Sequence, residues 1–172
     1  METDRIAPVE VEVSDTQSHL AADPEALAGL TRRVLAAEGV GRASISIALV
    51  DDATIRAINR RHLGHDWPTD VISFGLSDPG DPALVGELVI SAEMAAATAR
   101  RAGCDPSAEL ALYVVHGLLH LCGRDDRSPD DAAAMRRREG EVLAAEGLIN
   151  TFPLVGPDGP GESGREGERW PL

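Results

Sequence analysis

Lysine is absent from the 172 residues, so all 16 basic side chains are arginine. Arginine meets phosphate through a planar fork rather than a point charge, although codon bias in an alanine- and arginine-rich genome explains the composition equally well. Positive charge is outnumbered as well. The formal net charge of −13 opposes nonspecific coating of nucleic acid, which depends on positive potential, but leaves a local basic groove open. Cysteine is scarce: Cys104 and Cys122 are too few for a disulfide framework, and neither belongs to a C-x-x-C pair of the redox or zinc-ribbon kind. Both read as small core residues. No apolar run approaches the roughly 18 residues a membrane span needs, and no basic-then-apolar leader marks the acidic start METDRIAPVE. The expectation is a soluble, cytoplasmic protein with no membrane partner.

What is present suits one globular unit, since a hydrophobic share of 43% over this length supplies one substantial core. Residues 9–13 alternate valine and glutamate with the period of a half-buried strand. Asp23 is placed to cap a helix from Pro24 to about Gly39, with Leu27, Leu30, Val34 and Leu35 facing inward. Residues 44–50 read as a second strand. Asp51 and Asp52 then open a helix to about His62, turning Ile55 and Ile58 inward and Arg56, Arg60 and Arg61 outward. Gly64 and Pro68 make 63–68 a loop, after which 71–74 and 86–91 are extended, separated by turn-forming residues. Helices follow over 92–102, 108–122 and 129–146. The middle one is apolar nearly all round and belongs in the core. The five glycines and four prolines of 151–172 leave no apolar periodicity, so the expected layout is a flexible start over 1–8, a domain over 9–148 and a disordered tail over 149–172.

The chemistry concentrates in the apolar helix. His116 and His120 stand four residues apart, which puts them on one helical face close enough to share a metal ion. One histidine there would read as a hydrogen-bonded core residue, but two in register form a recurrent zinc-binding pair. Gly123 can end the helix in a left-handed turn, so that Asp125 or Asp126 supplies a third ligand. Two imidazoles and one carboxylate suit zinc, one ion per chain, and leave the fourth position that distinguishes a catalytic site from a structural one. A peptidase is disfavoured, because the H-E-x-x-H pattern needs a glutamate where this chain has Gly117.

The run from His116 to Asp126, HGLLHLCGRDD, resembles the H-G-x-L-H-L-x-G-x-D-H signature of the YbeY family. Residues 59–74, NRRHLGHDWPTDVISF, are similar to that family's L-N-x-x-Y-x-G-x-D-x-P-T-D-V-L-S-F block, and 86–90, GELVI, to its G-D-I-x-I strand. The blocks agree in order and spacing over roughly residues 9 to 148. The resemblance implies an α/β (α+β) domain in which a mixed four-stranded sheet packs with about five helices and the metal-binding helix lies in the core. It also implies a single-strand-specific, zinc-dependent endoribonuclease acting in 16S rRNA 3'-end maturation and ribosome quality control, with ribosomal RNA and small-subunit proteins as partners.

Carried over residue by residue, the resemblance makes His116, His120 and Asp126 the metal ligands, with aspartate standing where the family has its third histidine. Leu63 occupies the place of a loop arginine, and Glu87 that of an aspartate. Thr69, Asp70 and Ser73 are expected to line the site, and Arg60 and Arg61 to act as the catalytic cations that offset charge on phosphorus, with Arg136, Arg137 and Arg138 as an alternative basic surface. Two rival readings stand beside this one. One is a ribosome-assembly factor that binds RNA or protein with a mainly structural metal, and the other is a metal-dependent hydrolase of another substrate.

Overall fold

The computed structural model describes residues 9–148, so the expectations for 1–8 and 149–172 lie outside the described residues. Its elements run β1 (Glu10–Asp15), α1 (Pro24–Ala37), β2 (Ala43–Val50), α2 (Asp52–Leu63), β3 (Val71–Gly75), β4 (Leu84–Ser91), α3 (Ala92–Ala102), α4 (Pro106–Leu121) and α5 (Pro129–Ala145). Each helix starts on a side-chain cap that accepts a backbone N–H otherwise left without a partner. Asp23, Asp51, Ser91, Asp105 and Ser128 accept from Ala26, Thr54, Met94, Ser107 and Asp131 respectively. The expected elements are all found, with shifted ends. α4 begins at Pro106 rather than 108, because Asp105 caps it and a proline is tolerated in the first turn.

The four strands form one mixed sheet in the order β1-β2-β4-β3, with β1 parallel to β2, β2 parallel to β4, and β3 antiparallel to β4 at the edge. β4 starts at Leu84, two residues before the expected start, because Leu84 and Val85 already pair with Ala43 and Ser44. Gly86 is therefore interior to the strand. A Cβ there would stand 2.7 Å from Leu121 Cδ1, so the glycine lets the end of α4 settle onto the sheet.

Alternation along the strands divides the apolar residues between two faces. Ile45, Ile47, Leu49, Val71, Leu88 and Ile90 meet α1, α4 and α5 in the main core. Val50, Ile72 and Val89 turn the other way and pack with Ile55 of α2. α4 is the central layer of the main core: Val114, Val115, Leu118 and Leu119 are fully buried, each contributing roughly 1.5–3 kcal/mol by burial. Its close seat on the sheet requires Gly117. A Cβ at that position would meet Leu88 Cδ2 at 2.8 Å and Val71 Cγ2 at 3.0 Å.

Candidate metal centre

α4 presents His116 and His120 at its C-terminal end, where the apolar face gives way to a cleft beside the edge strand β3. Cys122 follows as the C-cap and Gly123 takes a positive φ of 91°, which turns the chain back toward the helix. That reversal delivers Asp126. Its Oδ2 lies 3.7 Å from His116 Nε2 and 3.5 Å from His120 Nε2, while the two Nε2 atoms are 3.0 Å apart. Among the described residues these three side chains form a group able to hold a metal ion, their ligand atoms all within 4.8 Å of one another.

Hydrogen bonds at the far side of each ring test whether a cation fits. His120 Nδ1 donates to the carbonyl of Arg124 at 3.0 Å, and His116 Nδ1 donates to the Glu139 carboxylate at 2.5 Å. A carbonyl can only accept, so the proton of neutral His120 sits on Nδ1 and its Nε2 carries a lone pair. The same holds for neutral His116 against its carboxylate. Two imidazole nitrogens and a carboxylate oxygen thus converge, a donor set that suits a metal ion.

The titration directions of the two rings differ. Burial opposes protonation of His116, but the hydrogen bond and charge of Glu139, with the charges of Asp70 and Asp126, outweigh it and raise its pKa. His120 is pushed down by burial and by the neighbouring His116. Two imidazoles at this separation do not both carry charge. Cys122 stays out of the group: burial pushes its thiol up to about 11, and thiolate is the form that binds metals. Both cysteines are half-buried, and Cys122 packs against the main core as expected.

The surrounding cleft, about 220 Å³, is lined by Leu63, Val71, Ile72, Ser73 and Leu121 on its largely apolar side and by Asp125, Asp126 and Arg127 on the other. Of the three residues expected from the β3 segment, Ser73 lines it and donates through Oγ to the carbonyl of Gly117 at 3.2 Å. Asp70 is not among the lining residues; it accepts from Val71 N–H and Thr69 Oγ1, burial raises its pKa, and its charge still reaches His116. Thr69 is buried. Glu87 alternates with Leu88 of the main core and so belongs to the opposite sheet face. Arg60 and Arg61 are exposed on α2 and are not among the residues lining the cleft. Arg138 pairs with Glu38 and Glu141, while Arg136 and Arg137 are exposed.

Two carboxylates that sequence reasoning passed over complete the frame. Glu139 reaches His116 from α5, and Glu38, beyond the end of α1, pairs with Arg124 at 2.8 Å and Arg138 at 2.7 Å. Glu38 thereby steadies the turn whose Arg124 carbonyl orients His120. Both would have needed knowledge of which helices meet, because they lie far from the histidines in sequence.

Fold and site together define a mixed α/β domain with a His-His-Asp cluster set in a cleft at the sheet edge. The chain matches the family model described as Endoribonuclease YbeY over residues 12–147. It is 46% identical over 137 residues to Endoribonuclease YbeY of Anaeromyxobacter sp. strain Fw109-5, covering 79% of this chain and 70% of that one. With the Moorella thermoacetica protein of the same name it shares 39% identity over 154 residues, covering 81% of this chain and 99% of its relative. The solution structure of TM1509 from Thermotoga maritima has the same fold, with a TM-score of 0.55 at 22% identity, covering 92% of this chain and 99% of that one. The chain belongs to the YbeY endoribonuclease family.

Proposed function

We propose that this protein is a zinc-dependent endoribonuclease that cuts single-stranded RNA, acting in 16S rRNA 3'-end maturation and ribosome quality control in the cytoplasm. The observation that carries the reading is the convergence of His116 Nε2, His120 Nε2 and an Asp126 oxygen in an open cleft of a YbeY-family chain. Zinc held by these three groups would supply a Lewis acid for attack on a phosphodiester. The protein's own contribution is orientation. Glu139 and the Arg124 carbonyl fix both ring tautomers, and the apolar wall of Leu63, Val71, Ile72 and Leu121 limits water around the reacting phosphate.

Single-strand preference is supported by the loop between α2 and β3. There Trp67 is 45% exposed and stacks on His65 with ring centroids 4.5 Å apart and planes 12° from parallel. Exposed aromatic faces take unpaired bases with little regard to sequence. Asn59 Nδ2 anchors the loop by donating to the Trp67 carbonyl at 2.9 Å. Arg60 and Arg61, on the preceding helical turn, suit backbone phosphates flanking that surface.

The test is cleavage of structured ribosomal RNA, with duplex RNA as control, in zinc and in chelator. Zinc-dependent cuts confined to unpaired segments are the expected result. Chelator-insensitive binding without cleavage would replace this reading with that of an assembly factor.

A further inference from the structure

We propose that Arg127 is the side chain that seats the scissile phosphate, with Asp125 holding it in place; this rests on the endoribonuclease reading above. Among the described residues lining the cleft, Arg127 is the one arginine. Two carboxylates, Asp125 and Asp126, line the same cleft. An incoming phosphodiester therefore meets local negative charge that one cation at the wall must help to offset.

The neighbouring arginines are already committed. Arg124 donates to Glu38 at 2.8 Å, and Arg138 donates to Glu38 at 2.7 Å and Glu141 at 2.8 Å. Arg127 differs. Its Nε lies 3.6 Å from Asp125 Oδ1, too far for a direct hydrogen bond, and both side chains are about half exposed, at 51% and 41%. The charge is steered while its donors stay available for a bidentate grip on phosphate oxygens.

The backbone around it is fixed on both sides. Asp126, the preceding residue, belongs to the metal group, and its N–H donates to Asp125 Oδ1 at 2.8 Å. Ser128, the following residue, caps α5 through the N–H of Asp131 at 3.0 Å. Asp125 thus has a role distinct from metal ligation: one oxygen braces the ligand's backbone and faces the arginine beside it. Arg60 and Arg61 remain suited to more distant phosphates, since they do not line the cleft.

The experiment compares wild type, Arg127→Ala and Arg127→Lys on a single-stranded RNA oligonucleotide. Steady-state cleavage is measured in zinc, and equilibrium binding of the same oligonucleotide to metal-stripped protein is measured across a salt series. Arg127→Ala is expected to lower kcat at least tenfold, weaken binding in chelator and reduce the salt slope by about one counterion, with zinc content and Tm unchanged. Lysine should restore the salt slope but not kcat, because a point charge lacks the fork. Wild-type kcat, binding and salt slope in Arg127→Ala would overturn the proposal, as would zinc loss that accounts for the defect. A wild-type protein that cuts no RNA in zinc removes the endoribonuclease reading and this proposal together.

Discussion

Glu139 accepts the Nδ1–H of His116 at 2.5 Å, joining α5 to the cleft-facing ring of α4 across 23 residues of sequence. Both side chains are largely buried, 13% and 14% exposed. A carboxylate behind an imidazole holds the ring in one tautomer and makes its other nitrogen a better ligand. Glu139→Gln is expected to weaken zinc binding about 10- to 100-fold while the protein stays folded, measured by competition with a chromophoric chelator. Unchanged affinity in a folded Glu139→Gln protein would reduce this contact to packing.

Asp126 and Asp125 divide their roles. Asp126 Oδ2 faces both histidines, whereas Asp125 Oδ1 accepts a backbone N–H. Asp126→Ala should strip the metal and Asp125→Ala should leave most of it bound, by elemental analysis. Asp126→His, by removing one negative charge from the site, should shift the pH optimum of cleavage downward. The reverse pattern for the two alanine variants would exchange their assignments.

Glu38 predicts a pH dependence. Burial raises its carboxyl pKa, but the hydrogen bonds and charges of Arg124 and Arg138 outweigh this and leave it lowered from 4.5. A folded value below the unfolded one stabilises the protein at pH above the unfolded value, and that stabilisation is lost as pH falls through the folded value. Glu38→Gln should therefore be less stable than wild type by about 1–3 kcal/mol at pH 7, with the gap closing below about pH 4. Urea unfolding at several pH values measures it. A gap that stays constant into acid would mean that the ion pairs contribute nothing.

Gly117 is expected to tolerate no side chain. The Cβ of an alanine would also meet Ser73 Oγ at 3.1 Å, besides its clashes with Leu88 and Val71. Gly117→Ala should cost about 1–3 kcal/mol by overpacking, read from the shift in the urea midpoint. A neutral result would show that α4 can lift from the sheet without loss.

The histidine pair was legible because a helix turns its residues on a fixed period, so spacing alone put both rings on one face. The strands were legible for the same reason, through the alternation in β1 and the apolar runs of β2 and β4. What lies between elements was not. Glu139 and Glu38 reach the site through the packing of α5 and of the residue beyond α1 against the end of α4, which no local period reports. Arg60 and Arg61 suggested the site because they neighbour the loop leading to β3, but α2 packs on the opposite sheet face and puts Leu63 at the cleft instead. Gly117 could be read as a missing glutamate, yet its role in seating α4 emerges only from the distances to Leu88 and Val71.

Elemental analysis of the purified protein is the sharpest test of a metal site at His116, His120 and Asp126. About one zinc per chain is expected in the native protein, because paired neutral imidazoles with one carboxylate suit that ion. Near-complete loss of that metal is expected when His116 and His120 are both replaced by alanine. A native protein free of metal, or a double variant that keeps it, would show that these side chains do not hold an ion.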